Sequence, residues 1–287
     1  MTALPQGVEV DFVEFPAGRV SYLRAGTTGP PVVLLPGAGP DNALLAWRHV
    51  IPHLAADHQV FAPDLPGQGG SLPWAGSTGQ RTLEEALRWL LETWQLREVT
   101  LVGSSTGGSV ATGFALRNPN RVRRLALVSA TGLQHRLRHH VLVHAAVHTG
   151  LTRAPAAAVL RANPMTRLML NRFVFTGGGT IPDLADITRE VAAEIRNRRS
   201  LTSGWHAEAI APRHMRVNHL PLLGRLESPV LFIHGEQDAL VPVSGAADAA
   251  TAAGGQLRTI PGAGHWPSRE TPGELTAALQ EFADPNQ

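Results

Sequence analysis

A serine hydroxyl attacks a carbonyl carbon only when a neutral imidazole takes its proton and an anion orients that imidazole. Ser105 is the first candidate. It centres Gly103-Ser104-Ser105-Thr106-Gly107, a G-x-S-x-G run. An apolar strand-like run, Val99–Val102, precedes it, and Ser109–Leu116 reads as a buried helix behind it. This strand, sharp turn and helix is what a nucleophile elbow requires. Glycines two positions either side remove the Cβ atoms that would collide where strand and helix meet. Ser104 fails the pattern, because Val102 and Thr106 are its flanking positions.

The chain has 13 histidines, so the base needs a positional argument. His265 lies in Pro261-Gly262-Ala263-Gly264-His265-Trp266-Pro267, past the last strand-like run and before the last helix. That is the carboxyl edge of an α/β sheet, where ligands bind. Asp238 follows the strand-like run Val230–His234 in the same kind of loop. Glu236 is the rival acid, but it sits close to the strand end. The loop Ala130-Thr131-Gly132 after the preceding strand holds no acid. The order Ser105, Asp238, His265 is one known for this triad. Two N–H groups must then meet the developing oxyanion. Thr106, next after the nucleophile, supplies one. Ala38, between Gly37 and Gly39 after Val32–Leu35, is the expected second.

These residues need a scaffold that gathers strand ends. Short apolar runs bounded by Gly and Pro alternate with helical patterns, which predicts an α/β fold with a mostly parallel sheet. Strands are expected at 8–15, 19–25, 32–35, 59–62, 100–102, 125–129, 230–234 and 257–260, and helices at 82–94 and 272–282. Between Leu133 and about Arg225 the rhythm becomes purely helical, with segments near 134–149, 153–162, 165–175, 183–199 and 202–217. The expectation is a core of residues 1–132 and 226–287 and an all-helical lid of 133–225 inserted after the sixth strand.

Composition removes other chemistries. Of the 287 residues none is cysteine, so disulfides, thiolate metal sites and cysteine nucleophiles are excluded. All 25 basic residues are arginine, which excludes Schiff-base and Ser-Lys mechanisms. The formal charge is +2, with no clustered basic face of the kind nucleic acid selects. Arg121, Arg123 and Arg124 read as a turn before a strand. Met1–Glu9 lacks the features of a secretion signal, and no apolar run reaches membrane-spanning length. A cytoplasmic bacterial protein acting on a small molecule is expected, without nucleic acid, membrane, metal or cofactor; a homodimer is compatible with this reading.

The chain resembles the α/β-hydrolase superfamily over essentially its full length. The matching motifs are Pro36-Gly37-Ala38-Gly39, Asp64-x-Pro66-Gly67-x-Gly69-x-Ser71, Gly103–Gly108, Gly235-x-x-Asp238 and Gly264-His265. One branch, the meta-cleavage-product C–C bond hydrolases, is similar in more detail through Gly39-Pro40, Trp47, Phe114–Val122 and His265-Trp266. Pro36, Ser104 and Thr106 depart from that branch, where His, Asn and Met are usual. The resemblance implies a lid arginine holding a substrate carboxylate. Arg196 or Arg198 could fill that part, against a plain reading as solvated helix residues.

The lid is rich in Leu, Val, Ala and Met. The first expectation is therefore hydrolysis of a small to medium apolar ester or lactone. C–C hydrolysis is the alternative, and a non-hydrolytic cyclase or ligand-binding role is the second. Gly37, Ser104, Trp266 and Arg196 are the expected pocket residues. His135, His139, His140, His144 and His148 recur at helical spacing, but no carboxylate accompanies them. They read as lid residues bordering pocket or solvent rather than as metal ligands. Gly177-Gly178-Gly179 is either a hinge or a connector. Gly67-x-Gly69 lacks the rest of a dinucleotide fingerprint.

Overall fold

The computed structural model describes residues 3–149, 159, 162–175, 181, 183–198 and 200–284. The strands are β1 (Glu9–Phe15), β2 (Gly18–Ala25), β3 (Pro31–Leu35), β4 (Gln59–Pro63), β5 (Val99–Ser104), β6 (Val122–Val128), β7 (Val230–Gly235) and β8 (Gln256–Ile260). They pair in one sheet of 8 strands, ordered β1-β2-β4-β3-β5-β6-β7-β8. β2 is antiparallel to both neighbours, and every pair from β4 to β8 is parallel. β5 and β7 are buried along their whole length. This is why their sequences are continuous apolar runs rather than alternating ones.

The helices, in chain order, are α1 (Ala43–Trp47), α2 (Ile51–Leu54), α3 (Gln80–Thr93), α4 (Thr106–Arg117), α5 (His140–His148), α6 (Asn163–Met169), α7 (Leu184–Arg198), α8 (Gly204–Ala209), α9 (Val243–Ala253), α10 (Pro267–Glu270) and α11 (Pro272–Ala283). Successive strand residues face opposite layers. Leu101 and Leu125 join Leu87 and Phe114 on one face of the sheet. Val102 and Ala126 join Trp47 and Leu279 on the other.

Among the described residues no strand lies between β6 and β7, and the connection is helical with one isolated bridge, Ile210 to Met215. Details differ from the sequence expectation. β6 starts at Val122, so Arg123 and Arg124 belong to the strand, where Arg124 pairs with Thr100. Only Arg121 stays in the turn, where its guanidinium donates to the carbonyls of Arg97 and Leu96 at 2.8 and 3.0 Å. The segment expected at 202–217 is helical only over α8. The one at 134–149 starts at His140, after His139 takes a φ of +53°. The one at 165–175 is α6 followed by a π-helical turn, Leu170–Val174. The segment near 153–162 and Gly177–Gly179 lie outside the described residues, apart from Val159 and Ala162.

Helix α7, in the connection between β6 and β7, packs against the core. Leu184, Ile187, Val191 and Ile195 fall on one stripe and bury against Leu45, Phe175 and Trp266. Polar partners flank the stripe. Arg48 Nη2 donates to both oxygens of Glu190 at 2.9 Å. Arg269 pairs with Asp183 just ahead of the helix, where His49 lies 3.0 Å from the same carboxylate. The Arg48 and Glu190 side chains are only 12 and 13% exposed, so removing one partner strands a charge. Glu190→Ala is therefore expected to lower stability by about 3 kcal/mol, read by urea unfolding. A loss below about 1 kcal/mol would place the pair with weak surface bridges.

Candidate active site

Ser105 lies between β5 and α4 with φ +49° and ψ −116°, a conformation few L-residues adopt. The surrounding backbone imposes it. Ser105 N–H donates to Val128 O at 2.9 Å, and Ser105 O accepts from Thr131 N–H at 3.0 Å. A Cβ on Gly107 would stand 2.4 Å from Pro36 O, and one on Gly103 2.4 Å from Gly107 O. The elbow glycines are thus required by contact.

The parallel order brings the other loops to the same edge. His265 Nε2 is 3.1 Å from Ser105 Oγ, and His265 Nδ1 is 2.7 Å from Asp238 Oδ2. Asp238 Oδ1 accepts from the N–H groups of Leu240 and Val241 at 2.8 and 2.9 Å. Burial works against the Asp238 charge. The His265 charge, hydrogen bonds from His234 and His265, and the Val241 N–H outweigh it and hold the carboxyl below its usual range. Burial likewise opposes charge on His265, but Asp238, and then Glu270 and Asp41, outweigh it and raise its pKa. Glu236, the rival acid, is exposed. Thr106 opens α4, so its N–H has no acceptor within the helix. Ala38 follows β3 beside Gly37, where a Cβ would lie 3.4 Å from the Ser105 Cβ.

This arrangement places a hydroxyl, a base, an orienting carboxylate and two candidate oxyanion donors around one point. The α/β-hydrolase-fold family matches residues 30–272, most of the chain. The chain belongs to the α/β-hydrolase family. It is 29% identical over 281 residues to the 2-hydroxymuconate semialdehyde hydrolase of Pseudomonas sp. (strain CF600), covering 93% of this chain and 91% of that one. Among solved structures it is similar to the 2-hydroxy-6-oxo-6-phenylhexa-2,4-dienoate hydrolase from Rhodococcus sp. strain RHA1. That match has 25% identity and a TM-score of 0.78, and covers 96% of this chain and 99% of the other. The carboxylesterase CesB of Bacillus subtilis shares the fold at 21% identity and a TM-score of 0.77, covering 97% and 92%.

The remaining expected residues of this α/β hydrolase fall into place unevenly. Ser104 is buried as the last residue of β5. Trp266 is buried against the apolar stripe of α7, with its ring 6.1 Å from that of Phe175. Arg196 is exposed on α7, which does not fit the pocket position expected for it. Two residues on, the helix turns Arg198 inward, and its Nη1 donates to Gly39 O at 2.6 Å. The π-helical turn Leu170–Val174 also holds the base loop: Val174 O accepts from the His265 N–H at 2.9 Å. His140 and His148 bond to the carbonyls of Ala211 and Ile210, and no group of three or more metal-binding side chains occurs among the described residues.

Three contributors were not singled out from the sequence. His234 Nε2 is 3.2 Å from Asp238 Oδ2 and 2.8 Å from Val241 O, bracing the acid. Its signal was position, four residues before the acid at a strand end. Glu270 accepts from the N–H groups of Gly264 and Trp266, at 2.9 and 3.0 Å, and so shapes the turn carrying His265. Asp41, two residues past Gly39, is a carboxylate beside an oxyanion loop.

Ser105→Ala is expected to abolish labelling by a fluorophosphonate probe, while Ser104→Ala retains it. Labelling that survives at another serine would displace Ser105. Because the base must be neutral, kcat/KM should rise with pH through a limb above the ordinary histidine value of about 6.5. Asp238→Asn removes the anion that raises His265. It should shift this limb to lower pH and reduce kcat by about 10⁴, while Glu236→Gln leaves both unchanged.

Proposed function

We propose that this chain is a serine-dependent hydrolase that cleaves a carbon–carbon bond beside a ketone in a carboxylated substrate of the 2-hydroxy-6-oxo-dienoate class. Arg198 carries this reading. It brings a lid guanidinium against the oxyanion loop, and its buried Nε has no hydrogen-bond partner among the described residues. A buried, unsatisfied N–H on a cation favours an anionic ligand. The near full-length similarity to 2-hydroxymuconate semialdehyde hydrolase supports the same class. This reverses the first expectation from the sequence, which followed the apolar lid composition towards esters and lactones.

In this reaction Ser105 Oγ bonds to the ketone carbon as its proton passes to His265. The N–H groups of Ala38 and Thr106 hold the oxyanion. Before this attack the substrate's 2-hydroxyl proton has moved to the carbon beside the ketone. On collapse the bond between that carbon and the ketone carbon breaks, its electron pair enters the conjugated keto acid as a dienolate, and the dienolate oxygen takes the proton from His265. Water, deprotonated by His265, then releases the acyl group as a carboxylic acid.

Ester hydrolysis is the second reading. Two observations favour it: Ser104 stands where the C–C branch commonly has Asn, and Glu194 shares the field of Arg198. The expected result is rapid bleaching of a yellow 2-hydroxy-6-oxo-dienoate, with slower turnover of p-nitrophenyl acetate. Arg198→Gln should reduce kcat/KM on the dienoate by about 30-fold more than on the neutral ester, the size of one hydrogen bond to a charged group. Arg196→Gln should change either rate by less than about threefold. Efficient ester cleavage with no bleaching would promote the second reading.

A further inference from the structure

Asp41 is 5% exposed and lies at the end of the oxyanion loop. Its Oδ2 accepts from the Gly37 N–H at 2.8 Å, and its Oδ1 accepts from the Asn42 N–H at 2.8 Å. One carboxylate therefore closes the loop on itself. Two further contacts fix the loop carbonyls: Gln68 Nε2 donates to Gly37 O at 2.9 Å, and Arg198 Nη1 to Gly39 O at 2.6 Å. Pro40 has no N–H. The Ala38, Gly39 and Asp41 N–H groups have no partner among the described residues, and of these Ala38 directly follows Gly37, which layers on Ser105. A Cβ at Gly37 would meet Asp41 Oδ2 at 2.9 Å and the Ser105 Cβ at 3.4 Å, so carboxylate, loop and nucleophile are layered in contact.

We propose that Asp41 is a positioning residue of the hydrolytic reaction, its carboxylate setting the 37–42 loop so that the Ala38 N–H is presented to the oxyanion above Ser105. The inference rests on the hydrolytic reading of Ser105. Donors aimed at a developing charge stabilise a transition state only if they are held in place beforehand. A glycine-rich loop cannot hold itself, because its residues have the widest conformational freedom.

The charged groups facing Asp41 are Glu194 and Arg198 from α7, Asp64 from the end of β4 and His265 from the loop after β8. Burial pushes the Asp41 carboxyl up to about 7, with Glu194 and Asp64 adding to it and its two N–H donors opposing. Its anion also raises His265. Asp41 thus acts on the site twice, through loop geometry and through charge.

Asp41→Asn keeps the size but places an amide NH₂ against one of two N–H groups. The test is p-nitrophenyl acetate kinetics across pH, with the fluorophosphonate labelling rate in parallel. A fall in kcat of about 10- to 100-fold is expected, short of the 10²–10³ for outright loss of a donor, with KM nearly unchanged. The acid limb should move to lower pH because the neighbouring anion is gone. Gln68→Leu loosens the same loop without changing charge, so kcat should fall with the limb in place. A raised KM at unchanged kcat in Asp41→Asn overturns the proposal. If Asp41→Asn does not fold, Gln68→Leu decides, and an unchanged kcat there overturns it. A wild-type protein unlabelled at Ser105 would defeat the hydrolytic reading itself, and this proposal with it. Wild-type labelling with an indifferent Asp41→Asn defeats only this proposal.

Discussion

The structure depends on one close approach, where α4 begins after a single residue beyond β5. Ser105 takes a strained conformation there, of the kind that costs on the order of 1–3 kcal/mol and persists only when its surroundings over-determine it. They do so here. The serine's N–H and C=O are both tied to the loop at the end of β6, and Gly103, Gly107 and Gly108 face neighbours too near for a Cβ. Because β3, β5, β7 and β8 run parallel in one sheet, the loops that follow them at one edge supply the rest. The loop after β3 brings Ala38, the loop after β7 brings Asp238 and the loop after β8 brings His265. Strand order turns residues more than a hundred positions apart into hydrogen-bonded neighbours.

The second constraint is buried charge around the oxyanion loop. Asp64 ties α1 to the turn beyond β4, accepting from the N–H groups of Ala43 and Gly70 at 2.7 Å each. Asn42 caps α1 by accepting from the Leu45 N–H and also donates to Glu194 on α7 at 2.9 Å. Burial raises Glu194 and lowers Arg198; the Asn42 hydrogen bond and then Arg198 oppose this for Glu194, and Glu194 opposes it for Arg198. Such clusters are expensive to desolvate and poor sources of net stability. Their directional hydrogen bonds, however, fix a loop that apolar contacts could not. Helix α7 and the oxyanion loop therefore share one polar network.

Sheet and elbow were legible because they obey local rules. Continuous apolar runs give buried strands, and G-x-S-x-G between a strand and a helix gives the turn. His265 and Asp238 could be chosen because both follow strand-like runs, at the edge where loops converge. The connection between β6 and β7 was legible only as helical. Its inner face was not, since Arg196 and Arg198 differ only in which side of α7 they occupy, and periodicity resolves that only once the buried stripe of Ile187, Val191 and Ile195 is known. The segment at 202–217 broke after Ala209 because Pro212 and a short bridge ended it. Asp41 and His234 were missed for another reason: each acts through a group already counted, and a single sequence marks the actor rather than its support.

Ester and carbon–carbon hydrolysis share the nucleophile, the base and the oxyanion donors, so the choice falls on what holds the leaving fragment. An alkoxide leaves with one proton from His265. A carbon fragment must also keep its conjugated system aligned while it accepts an electron pair, and a carboxylate anchored far from the ketone supplies that alignment. Arg198 lies where such an anchor would matter most, because the guanidinium that would grip the carboxylate already grips Gly39 O. Binding energy from a remote part of the substrate would then act on the loop that stabilises the transition state. That is how such energy raises kcat rather than only lowering KM. An apolar ester cannot use this route, and on the proposed reading the enzyme handles it with the oxyanion loop held by Asp41, Gln68 and Arg198 but without the added grip of a bound carboxylate.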